Sequence, residues 1–130
     1  MAGSIVHFEI NTKDASKAKR FYSTLFGWKY KDSEIPGIEY YVIDGIEPGG
    51  AINPMQSDQK SPVVYFGTDD IDKSLRTIRD SGGKADEKQP IPGQGWFAAC
   101  SDPEGNAFSL FQSDPSVTME MEAGAGEARR

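Results

Sequence analysis

An internal repeat limits the folds open to this chain more than any other feature of its sequence. When the chain is shifted by 56 positions, so that residue 12 falls on residue 68, five residues between positions 7 and 27 meet identical ones: Thr12, Asp14, Lys17, Arg20 and Gly27. Both halves also read as a strand, a helix and three further strands. The shared order, capping residues and apolar faces indicate a tandem duplication of a βαβββ module.

The first half begins with strand periodicity and continues with helix periodicity. Alternation over residues 5–10 predicts a strand with Phe8 and Ile10 on the helix side and His7 and Glu9 on the other side. Residues that favour helix N-caps follow, and Gly27 ends the predicted helix. The remaining strands of this half are predicted at residues 28–30, 39–43 and 49–53.

The second half repeats this order after a polar segment at residues 54–61, which we interpret as a linker. Asp69 or Asp70 caps a helix with an apolar face of Ile71, Leu75 and Ile78. The predicted strands are 63–66, 84–88, 96–100 and 107–111, with a loop at 89–95 and a tight turn at 102–106. We therefore predict one domain over residues 1–112, with modules at about 5–53 and 62–112, and a disordered tail at 113–130.

Charge and composition exclude several classes of function. The chain has 130 residues, a formal net charge of -6 and one cysteine. An acidic surface repels phosphate backbones, so a nucleic-acid partner is not expected. No apolar run has the length of a membrane helix, and residues 1–4 do not begin a signal peptide. We expect a cytoplasmic protein that has no contact with a membrane.

Each module has about sixty residues and is too small to bury both faces of its sheet. One face of each sheet packs against the module's own helix. The opposite face packs against the second module or a partner chain. This predicts an α+β fold in which two curved sheets enclose a cleft. The predicted ligand-binding residues of the cleft are His7, Glu9, Tyr41, Val63, Tyr65, Trp96, Ser109 and Phe111.

The chain resembles the vicinal oxygen chelate superfamily, which includes glyoxalase I, bleomycin-resistance proteins, fosfomycin-resistance enzymes and extradiol dioxygenases. The resemblance covers about residues 5–112. It rests mainly on the Phe-Tyr-x-x-x-Phe-Gly-Trp run at 21–28 and the Asp-Pro-Glu-Gly-Asn turn at 102–106. Within the superfamily the chain is similar to the small glyoxalase-like proteins of bacteria. The resemblance implies the paired-module fold and a homodimer.

The resemblance also implies a divalent metal held by four strand side chains, usually His and Glu. The first ligand position falls on His7, which matches. The other three fall on Val63, on Ser109, and near Gly50 or Ala51, and none of these is a usual metal ligand. A single imidazole does not make a stable site. We predict no cofactor, although His7 with Glu9 leaves an atypical divalent metal site open.

The leading functional hypothesis is metal-free binding of a small molecule. Aromatic walls with a few polar groups suit a flat, partly apolar ligand, and the acidic balance favours a neutral or cationic one. The first alternative is a metal-dependent lyase, isomerase or dioxygenase with a non-standard site, in which a desolvated Glu9 acts as a base. The second alternative is a non-catalytic interaction module. Whether the protein is an enzyme stays open at this stage.

Overall fold

A computed structural model of the chain describes residues 2–33, 35–55 and 61–118. The chain divides into two compact units. The unit Ile5–Val64 is called the N-terminal module below, and the unit formed by Met1–Ser4 with Tyr65–Arg130 is called the C-terminal module. Because this boundary falls within the strand Val63–Gly67, the whole strand is described with the C-terminal module. In the described part of the chain, neither helix is long and apolar enough to cross a membrane.

The N-terminal module has the predicted order of a strand, a helix and three strands. Its strands lie in the order β2-β3-β4-β1. β1 and β4 are parallel, and the other neighbouring pairs are antiparallel. The elements are β1 (Ile5–Thr12), α1 (Ala15–Phe26), β2 (Tyr30–Asp32), β3 (Tyr41–Ile43) and β4 (Gly49–Pro54).

The C-terminal module repeats this arrangement with one additional strand. Its elements are β5 (Val63–Gly67), α2 (Ile71–Asp80), β6 (Lys84–Ala85), β7 (Gln89–Ile91), β8 (Gly95–Ser101) and β9 (Ala107–Ser113). The strand order is β5-β9-β8-β6, and β7 also pairs with β8. The strand predicted at 84–88 is limited to two residues, Lys84–Ala85. Part of the predicted loop at 89–95 is a strand, because Gln89–Ile91 pairs with β8 across a tight turn.

The two helices begin with the same hydrogen bonds. The Asp14 carboxylate accepts a hydrogen bond from the Lys17 amide at 3.0 Å, and the Asp70 carboxylate accepts one from the Lys73 amide at 3.1 Å. The preceding threonine hydroxyls, at positions 12 and 68, each accept a hydrogen bond from the cap residue's amide. The identical residues of the repeat therefore form the same N-cap in both modules.

The ends of the two helices differ. α1 ends at Gly27, which has a left-handed φ of 74° as predicted. In the second half the left-handed residue is Gly82, with a φ of 91°, one position before the glycine that the repeat aligns with Gly27. The caps of the repeat are thus better preserved at the helix starts than at the helix ends.

The predicted tail begins too early. Ser113 belongs to β9, and Val117 is only 1% exposed. The Gly93 amide donates a hydrogen bond to the Val117 carbonyl oxygen at 2.7 Å. The prediction of disorder is therefore wrong for residues 113–118, because one valine in a polar segment finds a buried position. Residues 119–130, and residues 56–60 of the predicted linker, lie outside the described part of the chain.

Candidate functional site

Three polar side chains of the N-terminal module form a hydrogen-bonded chain. The Tyr40 hydroxyl donates to Glu9 Oε2 at 2.6 Å, and His7 Nε2 lies 2.7 Å from the same hydroxyl. A carboxylate only accepts hydrogen bonds, so the Tyr40 proton points to Glu9 and its oxygen accepts from His7 Nε2–H. His7 is then the tautomer with Nδ1 as an acceptor. We call this group the His7–Tyr40–Glu9 chain.

Small residues in β4 allow these side chains to meet. β1 and β4 are paired so that His7 lies beside Gly49 and Glu9 lies beside Ala51. Tyr40 immediately precedes β3, on the opposite side of β4 from β1. Its ring therefore reaches across a strand that carries little side-chain volume on this face. Larger residues at positions 49 and 51 would separate Tyr40 from the two β1 side chains.

Two asparagines extend the polar face along the same strands. Asn11 lies two residues beyond Glu9 in β1 and is paired with Asn53 of β4. The Asn53 Nδ2 donates to Asn11 Oδ1 at 3.2 Å. One face of this sheet thus carries a row of hydrogen-bonded polar groups, all of them partly buried.

Burial lowers the pKa of His7 below its ordinary value, and the nearby Glu9 carboxylate acts in the opposite direction. Desolvation dominates because an imidazolium loses hydration when the ring is covered. His7 is therefore neutral at neutral pH, consistent with its position as a donor through Nε2 and an acceptor through Nδ1.

The corresponding face of the C-terminal module is aromatic. Strand pairing places Tyr65 beside Ser109, and Phe97 beside Phe111, on one face of the sheet. Tyr65 and Ser109 are buried, and the rings of Tyr65 and Phe97 lie 6.4 Å apart. Val63, two residues before Tyr65 in β5, is also buried. The structure therefore brings together the predicted residues Tyr65, Ser109 and Phe111, and adds Phe97.

Two predicted site residues lie on the helix sides of their sheets. Tyr41 is paired with Ile52, its hydroxyl donates to Glu39, and Lys19 Nζ of α1 lies 3.5 Å from its ring centroid. Trp96 packs against the core cluster that contains Ile71 and Leu75 of α2. The predicted positions of Tyr41 and Trp96 are therefore corrected.

Sequence reasoning missed Tyr40 because two adjacent tyrosines fit either alternation equally well. The strand register separates the two tyrosines, because Val42 is paired with Ala51 and shares the His7 face of the sheet. Tyr40, two residues earlier, follows the same alternation. Trp96 was misassigned because a glycine-rich loop precedes it, and such a loop does not reveal the face of the next residue.

The residues present do not fit the four-ligand metal site that the family resemblance implies. Gly49 and Ala51, the β4 residues beside His7 and Glu9, have no donor side chain, and the Asn53 amide further along this face is hydrogen-bonded to Asn11. Gly50 faces the other way, where an added Cβ would collide with the Phe8 ring. Within residues 2–33, 35–55 and 61–118, no three His, Cys, Asp or Glu side chains are grouped to hold a metal ion.

The sole cysteine is not a second reactive centre. Cys100 is buried in the core of the C-terminal module, and burial raises its pKa to about 11. A thiol with such a pKa stays protonated at neutral pH and is a poor nucleophile.

Comparison with protein-family models gives one match over most of the chain. Residues 4–110 match the Glyoxalase/Bleomycin resistance protein/Dioxygenase superfamily. Among solved structures, a glyoxalase/bleomycin resistance protein/dioxygenase superfamily member from Vibrio splendidus 12B01 superposes with a TM-score of 0.63. It is 14% identical, and the match covers 85% of this chain and 99% of that one.

Some curated relatives of similar sequence are longer than this chain. "Putative glyoxylase CFP32" of Mycobacterium tuberculosis is 31% identical, over 84% of this chain and 45% of that protein. "Anthracycline biosynthesis protein DnrV" of Streptomyces peucetius is 26% identical, over 85% of this chain and 47% of that protein. The chain therefore spans about half the length of these two relatives.

Proposed function

Because the chain belongs to the Glyoxalase/Bleomycin resistance protein/Dioxygenase superfamily, we propose that it binds a small organic molecule without a metal ion. The family match over residues 4–110 confirms the predicted family, and the similarity to the Vibrio splendidus structure confirms the predicted α+β fold. The observation that carries the proposal is the His7–Tyr40–Glu9 chain. The β1 side chains that would begin a metal site are instead hydrogen-bonded to each other through a tyrosine.

The continuous chain of hydrogen bonds from His7 to Glu9 favours ligand recognition because it orients polar groups in advance. Each polar group holds its neighbour in place, so the acceptors on this face are oriented before a ligand arrives. Preorganised groups lose less conformational freedom on binding, which favours affinity. The neighbouring β4 residues on this face, Gly49 and Ala51, have no side-chain donor that could add a metal ligand to His7 and Glu9.

The C-terminal module supports a flat, partly apolar ligand. Its face carries the partly buried rings of Phe97 and Phe111 next to the buried Tyr65, and aromatic rings of this kind stack on planar molecules. The name of the Streptomyces peucetius relative points to the same chemistry, because anthracyclines are polycyclic aromatic compounds. A cleft between the two modules stays a prediction, as do the roles of individual residues in binding.

The partner and location predictions remain part of this proposal. We propose a homodimer in the cytoplasm that binds neither nucleic acid nor membranes. The net charge of -6 supports the absence of a nucleic-acid partner. A catalytic reaction is not part of the proposal.

The experiment is a thermal-shift screen of tag-free protein in EDTA against planar aromatic compounds, followed by calorimetry of each hit. A ligand at 100 times its Kd stabilises the folded state by about 2.7 kcal/mol, which raises Tm by several degrees. Parallel samples without EDTA contain nickel, zinc, manganese or iron. We expect shifts with an organic compound in EDTA, and stabilisation by metal alone would contradict the proposal.

The variant Tyr40→Phe tests the site, and Tyr41→Phe is its matched control. Both changes remove one hydroxyl from adjacent tyrosines, but only Tyr40 belongs to the hydrogen-bonded chain. We expect Tyr40→Phe to weaken binding of the hit at least about tenfold, which corresponds to about 1.4 kcal/mol. Equal affinities for the two variants would place the binding site elsewhere.

A further inference from the structure

The Glu9 carboxylate is partly buried and has no cationic partner among the described residues. Its described hydrogen bond is the one from the neutral Tyr40 hydroxyl. The ion pairs of Lys31 with Asp44 and of Lys88 with Asp72 do not include Glu9. A carboxylate on a partly covered face loses hydration, so a counter-charge there is more favourable than on an open surface.

The neighbours of Glu9 on the sheet face do not supply that counter-charge. His7 Nε2 is hydrogen-bonded to the Tyr40 hydroxyl, so the imidazole is directed at Tyr40 and not at Glu9. Asn11 and Asn53, further along the face, are neutral amides. Lys19 of α1 places its ammonium over the Tyr41 ring, on the opposite side of the sheet. Among the described residues, the Glu9 carboxylate therefore has no direct counter-charge on this face.

The hydrogen-bond directions make this face rich in acceptors. The Nε2 proton of His7 and the hydroxyl proton of Tyr40 are both used within the His7–Tyr40–Glu9 chain. The Glu9 carboxylate uses one of its two oxygens in this chain and keeps further acceptor positions. A charged N–H donor complements this carboxylate, whereas an anion meets repulsion.

We propose that the ligand carries a protonated nitrogen, as an ammonium, amidinium or guanidinium group, and that this group binds Glu9 beside His7 on the N-terminal module. The inference rests on the proposed function and adds the chemical class of the ligand. β4 leaves room for such a group. A Cβ added at Gly49 would lie 3.7 Å from His7 Nδ1, which is an ordinary contact distance.

Three naphthalene probes with the same ring test the proposal: 2-naphthylmethylamine, which is cationic at pH 7, 2-naphthalenemethanol, which is neutral, and 2-naphthoate, which is anionic. Calorimetry in EDTA at low salt measures each Kd. We expect the amine to bind at least tenfold more tightly than the alcohol, and the naphthoate to bind more weakly than both. Salt weakens the amine but not the alcohol, because it screens the charge.

Glu9→Gln is the decisive variant, because glutamine still accepts from Tyr40 but carries no charge. We expect it to lower the affinity for the amine to that for the alcohol and to leave the alcohol unchanged. Glu39→Gln is the matched control, since the Glu39 carboxylate accepts from Tyr41 on the other side of the sheet. It should leave both affinities unchanged.

Each outcome separates the two proposals. Equal binding of amine and alcohol by the unaltered protein overturns the cation proposal but leaves small-molecule binding intact. A Glu9→Gln variant that weakens both probes equally indicates a structural role and also overturns it. If none of the three probes binds, the proposed function fails and the cation proposal fails with it. If Glu9→Gln does not fold by circular dichroism, the salt dependence of amine and alcohol binding decides.

Discussion

The two helices of the repeat have the same N-caps but different packing. Ile71 and Leu75 of α2 are 1% and 4% exposed, whereas no residue of α1 is buried. Shifted by 56 positions, these two residues fall on Ala15 and Lys19. The aliphatic anchors of one helix are therefore replaced by a small and a charged residue in the other. Duplication preserved the local caps, but not the contacts between helix and sheet.

Aromatic residues partly compensate for the missing anchors of α1. The ring of Trp28 lies 5.3 Å from that of Tyr22 and 5.2 Å from that of Phe26. It also contacts Phe8 of β1. Even so, Phe21 and Phe26 are 58% and 59% exposed. The N-terminal helix is thus held at one end by rings, while the C-terminal helix is anchored along its length.

The sheet faces of the two modules diverge in the same way. His7 and Glu9 fall on Val63 and Tyr65 of the second module. The first pair takes part in a polar hydrogen-bonded chain, and the second pair is buried. Equivalent backbone positions therefore carry hydrogen-bonded polar side chains in one copy and buried side chains in the other.

The largest predicted difference between the modules concerns the helix anchors. Leu75→Ala removes a buried side chain and should lower the free energy of unfolding by about 2–5 kcal/mol. Lys19→Ala at the equivalent position removes a cation–π contact and should cost about 0.5–1 kcal/mol. Urea denaturation of both variants measures the difference. Equal losses would show that α1 is anchored as firmly as α2.

The second largest expected difference in stability is between alanine substitutions at two adjacent glycines, which face opposite sides of the sheet at β4. Gly50→Ala forces a methyl group against the Phe8 ring, so we expect a loss of about 1–3 kcal/mol. Gly49→Ala meets only an ordinary contact with His7 Nδ1 and should change stability by less than about 0.5 kcal/mol. Denaturation curves distinguish them. A neutral Gly50→Ala would mean that the helix side of this module is loosely packed.

The helix caps should behave alike in the two modules. Asp14→Ala and Asp70→Ala each remove a hydrogen bond to the first turn and should each cost about 1 kcal/mol. The corresponding Asn variants keep an acceptor and serve as controls, with smaller losses. A clearly larger loss at one cap would show that the same cap contributes differently to the free energy of unfolding in the two modules.

The smallest effect is a pH dependence confined to the N-terminal module. The pKa of His7 in the folded protein lies below its unfolded value of about 6.5. At pH values between these two pKa values, the unfolded chain binds more protons than the folded one. His7 therefore makes its full contribution to the free energy of unfolding above about pH 6.5. This contribution falls as the pH drops from about 6.5 towards the pKa of folded His7. Urea unfolding between pH 7.5 and 5.5 measures the decline.

His7→Gln is the control for this dependence. Glutamine still donates to Tyr40 but does not titrate, and the chain has no second histidine. The decline should therefore disappear in the variant. A decline of the same size would assign the pH dependence to another group.

Much of the fold could be predicted because its signals are local. Asp14 and Asp70 mark helix starts through hydrogen bonds to residues three positions ahead, and the alternation in β1 sets the faces of Phe8 and His7. Val117 escaped prediction because a single valine in a polar segment carries no periodicity. Its burial depends on the loop around Gly93, which is distant in sequence.

The sequence by itself determined the duplication, the order of the elements and the place of His7 and Glu9 on one face of β1. Only the tertiary structure decided that Tyr40, and not Tyr41, joins His7 and Glu9 in the hydrogen-bonded chain. That choice depends on the pairing of β3 with β4 and of β4 with β1, and on the small volume of Gly49 and Ala51 between them. Strand register is a contact between distant segments, and a one-residue shift would exchange the two tyrosines.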